Sequence, residues 1–91
     1  MNVQIFPYRD SQPKAVEALQ KALVAAVERG RRVVVDLDQM PVLDNTAIRG
    51  LILLLRRVRE AGAELMLHVT RPELLATLSL TALDRVFEVA A

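Results

Sequence analysis

Few residues in this 91-residue chain have the type and spacing to do chemistry. Asp44, Asn45 and Thr46 stand just ahead of an apolar pattern of helical period. At such a helix start, free backbone N–H groups and the helix dipole favour negative charge. Thr46 is the only hydroxyl in that stretch, and a phosphoryl group on it would add nearly two negative charges where a partner could read them. The plainer role is structural: Asp44 or Asn45 caps the helix and Thr46 lies in its first turn. Asp36 and Asp38 alternate along a strand end and so point the same way, as a metal or acid pair would require. No third ligand is placed by the spacing, and Asp36 ending the strand while Asp38 helps a turn is the more economical reading. His68 is the single histidine, near a strand end and potentially on the same rim as Asp44. Asp44, His68 and Ser79 include the residue types of a hydrolytic triad, but nothing in the spacing joins them, and no Ser lies in a nucleophile turn. No catalytic residue, metal ligand or cofactor is therefore assigned, and a non-enzyme is expected.

The arginines form two groups. Arg56, Arg57 and Arg59, with Arg49 a turn or more earlier, make one helix basic; Arg29, Arg31 and Arg32 form the other. Such groups are usually solvated faces, although they could meet an acidic surface or a nucleotide phosphate. The three glycines, Gly30, Gly50 and Gly62, do not form a phosphate loop. The formal charge is only +1 and Phe6, Phe87 and Tyr8 are the only aromatics, so neither a steering field nor a base-stacking platform for nucleic acid is present. Cysteine is absent, which removes disulfides, thiolates and zinc–thiolate clusters. No signal peptide is evident at the start, and no apolar run, Leu51 to Leu55 included, is long enough to cross a bilayer. A cytoplasmic, non-inserted protein is expected.

These residues must be positioned by one domain, residues 1–91, which at this size buries about 60–70% of its unfolded surface. Residues 3–8 read as a strand, with Val3, Ile5 and Pro7 on one side. Ser11, Gln12 and Pro13 give a helix start with Ser as cap. Val16, Leu19, Leu23 and Val27 form its apolar stripe, and Gly30 its end. Residues 32–37 follow as a second strand, whose unbroken Val33-Val34-Val35 suggests cover on both faces. After a turn-rich stretch comes a helix with Ile48, Leu51, Ile52, Leu55 and Val58 at helical spacing. Leu53 and Leu54 widen its apolar face, which implies deep burial or an interface. Residues 65–69 read as a third strand, and Thr70-Arg71-Pro72-Glu73 as a capping box opening a helix with Leu74, Leu75 and Leu78. A weaker start signal spans residues 81–84, and residues 86–89 read as the last strand. The alternation predicts an open α/β sheet, mixed but mostly parallel, of about four strands, with right-handed crossovers placing helices on its faces.

Three pieces of the chain resemble the STAS family of anti-sigma-factor antagonists. They are Val33-Val34-Val35-Asp36-Leu37; Asp44-Asn45-Thr46-Ala47-Ile48-Arg49-Gly50-Leu51, similar to Asp-Ser-Ser/Thr-Gly-Leu-Gly/Ala; and Thr81-Ala82-Leu83-Asp84-Arg85-Val86-Phe87, similar to Thr-Gly-Leu-Asp-Arg-Val-Phe. Residues 10–32 resemble the family's first helix more loosely. The resemblance implies a bacterial, cytoplasmic signal-transduction module without enzymatic activity, acting in transcription regulation. Its partner-docking loop would be Asp44, Asn45, Thr46, Ala47, Ile48 and Arg49, and its partner an anti-sigma-factor kinase or similar switch protein. Relatives that serve as subunits of ABC-type lipid transporters, docking on the ATPase, carry a Thr in the corresponding loop and make a second reading; a nucleotide-binding module makes a third.

The sequence also departs from the family. Asn45 stands where switch members carry the phosphorylated Ser, which leaves Thr46 as candidate acceptor and suggests a permanently unphosphorylated-like loop. Ala47, Arg49 and Ala82 replace small Gly or Ala positions. The family's additional first strand is expected to be missing, leaving the sheet edge open or covered by a partner or a second copy, so that a homodimer is also expected as an option.

Overall fold

The computed structural model describes residues 5–27 and 32–90. Their elements alternate: β1 (Ile5–Pro7), α1 (Pro13–Ala26), β2 (Arg32–Asp36), α2 (Asn45–Glu60), β3 (Glu64–His68), α3 (Pro72–Leu80), a 3-10 turn (Leu83–Arg85) and β4 (Glu88–Ala90). The four described strands are all parallel and lie in the order β1-β2-β3-β4. Val3, Gly30, Arg29 and Arg31 lie outside the described residues.

This order decides where the helices go. When each strand is laid down beside the one before it, always moving in one direction, right-handed crossovers put every connecting helix on the same face. The burial pattern agrees: Val33, Val35, Leu65 and Leu67 are buried beneath the helices, while Val34, Asp36, Met66 and His68 on the opposite face are only partly covered. The expectation that Val33-Val34-Val35 is covered on both faces is thus corrected. Ile5 and Pro7 share a side as expected, but it is the open one, and Ile5 is 63% exposed.

Helix α1 buries Val16 and Leu23, with Leu19 and Val27 partly buried beside them. Ser11 does not cap it: Gln12 is the N-cap, without a side-chain bond, and its N–H donates to Asp10 Oδ1 at 2.9 Å. Helix α2 buries Ala47, Gly50, Leu51, Leu54, Leu55 and Val58, so the core line is rotated from the one expected and Ile52 faces outward. The capping box at 70–73 does not form. Arg71 is the N-cap of α3 without a side-chain bond, because the Thr70 hydroxyl donates instead to Asp38 Oδ2 at 2.6 Å. The last strand begins two residues later than the pattern of residues 86–89 implies, because 83–85 form the 3-10 turn and Phe87 is buried in the core.

Ala82, ahead of that turn, has φ 59° and ψ 16°. A side chain in this left-handed region costs about 1–2 kcal/mol, which Gly avoids. Ala82→Gly is expected to raise stability by about 1 kcal/mol in urea unfolding, against the usual direction for removing a methyl group. A decrease would mean that the Ala82 methyl makes a contact worth more than the strain.

Candidate partner-docking site

The candidate loop is held from below and open above. Asp44, exposed, is the N-cap of α2, and its Oδ1 accepts the Ala47 N–H at 2.8 Å while its carbonyl accepts the Ile48 N–H at 2.9 Å. Asn45, Thr46 and Arg49 are exposed, Ile48 is partly covered, and Ala47 is fully buried. The first turn therefore presents Asn45, Thr46 and Arg49 outward while Ala47 anchors it. Replacing Asp44 with Ala is expected to cost about 1 kcal/mol, since one free N–H loses its acceptor, and to speed hydrogen exchange selectively at residues 45–48. Uniform loss across the domain would contradict that local role.

Two fasteners position this turn. Tyr8, 1% exposed and directly after β1, donates its hydroxyl to the Ala47 carbonyl at 2.9 Å. It reaches that carbonyl because Gly50 has no side chain: a Cβ there would overlap Tyr8 Oη and stand 3.2 Å from Tyr8 Cζ and 3.3 Å from Val16 Cγ2. The second fastener holds the approach to the loop. Asp38 Oδ1 accepts the Thr70 and Arg71 N–H groups at 2.8 and 3.3 Å, and its Oδ2 accepts the Thr70 hydroxyl. Arg71 returns its guanidinium to the carbonyls of Met40 and Asp38 at 2.6 and 3.3 Å. The Thr70 hydroxyl, chiefly, holds the Asp38 carboxyl below its ordinary range.

Around the loop, Thr46, Arg49, Gly50 and Leu53 face Val16, Glu17 and Gln20 of α1, and Ser11 just before it, across a groove of about 250 Å³. Farther along α2, Ile52, Leu55, Arg56, Arg59, Glu60 and Val86 line a second hollow of about 470 Å³, with Ile52 39% and Val86 46% exposed. Asn45, Arg49, Ile52, Arg56 and Arg59 recur at four- and three-residue intervals, one outward stripe of the helix. The other basic cluster is partly neutralised, since Arg32 meets Glu64 at 3.2 Å and Glu88 at 3.3 Å across three strands.

Tyr8, Gly50 and the exchange between Asp38 and Arg71 were not singled out from the sequence. A glycine inside a helical pattern was the available signal, since it marks a close approach. Asp44, His68 and Ser79 make no common site: the Asp44 carboxylate caps α2, His68 faces Asp36 and Asp38, and Ser79 is exposed on α3.

A model of the STAS domain matches residues 14–91. The chain belongs to the STAS family. STAS-domain structures are also similar in fold. An anti-sigma-factor antagonist (STAS) domain protein from Planctomyces limnophilus superposes with a TM-score of 0.68 at 18% identity, over 93% of this chain and 79% of that one. A putative anti-sigma factor antagonist from Thermotoga maritima does so at 0.65 and 16% identity, over 98% of this chain and 74% of that one. At these identities the likeness concerns the fold. No curated protein matches the sequence. Within this STAS domain, no described helix is long and apolar enough to cross a membrane.

Proposed function

We propose that this STAS domain is a regulatory binding module without catalytic activity, which docks a protein partner through the loop and helix start at residues 44–49. The observation that carries the reading is the exposure of Asn45, Thr46 and Arg49 on a turn whose underside is immobilised by the capped Ala47 N–H and by Tyr8. A preorganised turn loses little freedom on binding, so its contacts contribute to affinity with little ordering cost. By analogy with the anti-sigma-factor antagonists whose fold it shares, the partner is an anti-sigma-factor kinase or a similar switch protein. Asn45 then keeps the loop in an unphosphorylated-like, docking-competent state, because an amide accepts no phosphoryl group. Arg49→Glu and Thr46→Glu are each expected to weaken binding to the partner kinase by more than tenfold, about 1.4 kcal/mol, in calorimetry. Unchanged affinity in both would refute the site. Incubation with that kinase and ATP, followed by intact mass measurement, is expected to leave the chain unmodified; a phosphate on Thr46 would overturn the permanent state and make Thr46 the switch.

The exposed Thr46 hydroxyl favours one second reading, a subunit that docks on the ATPase of an ABC-type lipid transporter. Co-purification with such an ATPase rather than a kinase would select it. For a nucleotide-binding module, ATP, GTP or their diphosphates should raise the melting temperature; the docking reading expects no shift.

A further inference from the structure

We infer that Asp36, Asp38 and His68 form a binding site for a zinc-like divalent transition metal at the C-terminal ends of β2 and β3. This inference is independent of the docking reading. Asp36 and His68 are register partners on adjacent parallel strands, so they lie side by side on the face that the helices leave open. Asp38, two residues on, turns its carboxylate back to the same point. The His68 Nδ1 stands 3.3 Å from Asp36 Oδ1 and 3.7 Å from Asp38 Oδ2, and one ligand atom from each residue lies within 4.8 Å of the others.

A hydrogen bond accounts for only one of these approaches. An imidazole nitrogen carries at most one proton, and 3.7 Å is beyond hydrogen-bond range. A metal accounts for both. With metal–ligand bonds of about 2.0–2.2 Å, the edge of a coordination tetrahedron is about 3.3–3.6 Å, close to the two separations from His68. The carboxylates are also oriented by further hydrogen bonds, those on Asp38 coming from outside the ligand set, as is common for metal ligands. Asp36 Oδ1 accepts the Asp38 N–H at 3.0 Å, and Asp38 is held by the N–H and hydroxyl of Thr70 and by the Arg71 N–H. The three side chains are 20–40% exposed, so water completes the coordination.

The donor set selects the metal class. One imidazole nitrogen with two carboxylate oxygens suits Zn²⁺, whereas Mg²⁺ and Ca²⁺ prefer oxygen alone. His68 is the only histidine and cysteine is absent, so zinc has no second nitrogen or thiolate side chain to compete for it.

The test is calorimetric titration of the full chain with ZnCl₂ at neutral pH, in parallel with NMR of the His68 ring. Expected are saturable one-to-one binding, displacement of the His68 ring signals, and a Kd raised more than about tenfold by His68→Ala or Asp36→Asn. Circular dichroism establishes that each variant is folded. If a variant fails to fold, the ring signals of the unaltered chain still decide. Unmoved His68 signals at about 1 mM Zn²⁺, a Kd unchanged in folded His68→Ala, or equal affinity for Mg²⁺ would each overturn the assignment.

Discussion

Gly50→Val is expected to remove about 3 kcal/mol of stability and to lower Tm by roughly 12–24 °C. The substituent would enter space already filled by Tyr8 Oη and Val16 Cγ2, both on buried side chains packed against α2. Overpacking of this kind costs about 1–3 kcal/mol, and displacing the Tyr8 hydroxyl from the Ala47 carbonyl adds about 1–3 kcal/mol for a buried polar group left unpaired. Better helix propensity returns only a few tenths of a kcal/mol. A double-mutant cycle isolates the cause. Tyr8→Phe alone costs about 1 kcal/mol, but combined with Gly50→Ala it relieves the clash, so the pair should be at least about 1 kcal/mol less destabilising than the sum. Additive behaviour would mean that Gly50 is needed for some reason other than the hydroxyl above it. Because Ala47 anchors the turn proposed for docking, the same variants should weaken partner binding in proportion to the mobility they introduce there.

The second large effect is alkaline. Burial pushes the Tyr8 phenol up from 10.0 to about 12, with the charges of Asp44 and Asp10 adding to the effect. The folded-state value lies above the unfolded one, so the contribution is fully present below pH 10 and is lost as pH rises through about 12. Two pH units correspond to roughly 2–3 kcal/mol, a large fraction of the stability of a small domain. Tyr8 is the only tyrosine and tryptophan is absent, so tyrosinate absorbance reports this one group. The expected result is a tyrosinate transition delayed well beyond pH 10 and, in Tyr8→Phe, a flatter stability profile between pH 10 and 12. A tyrosinate midpoint near 10 in the folded chain would show that the ring is not sealed.

Much of this was legible beforehand because local rules and tertiary packing agree. Val16, Leu23, Leu51 and Val58 recur at helical spacing and are buried, and Asp44 caps the helix that it precedes. The four strands follow from alternating apolar runs, and the family from three short motifs. What was not legible depends on pairing between distant segments. Thr70 and Glu73 have the spacing of a capping box, but Asp38, thirty-two residues away, offers the Thr70 hydroxyl a better acceptor. Val34 resembles its neighbours in sequence, yet only strand order reveals that its side of the sheet carries none of the described helices. His68 could not be matched to Asp36 without the β2–β3 register. Ile52 sits in an apolar run, and only the rotation of α2 turns it outward.

Strand order has a kinetic consequence. Each described strand pairs with its neighbour in sequence, as in Ile5 with Val34, Arg32 with Glu64 and Met66 with Glu88, so none of these pairings waits for distant segments of the chain to meet. The entropy of closing each segment is modest and is met one unit at a time, as in a short solenoid. Assembly can then spread from the β2–α2–β3 centre in either direction, and β4 can detach while that centre stays folded.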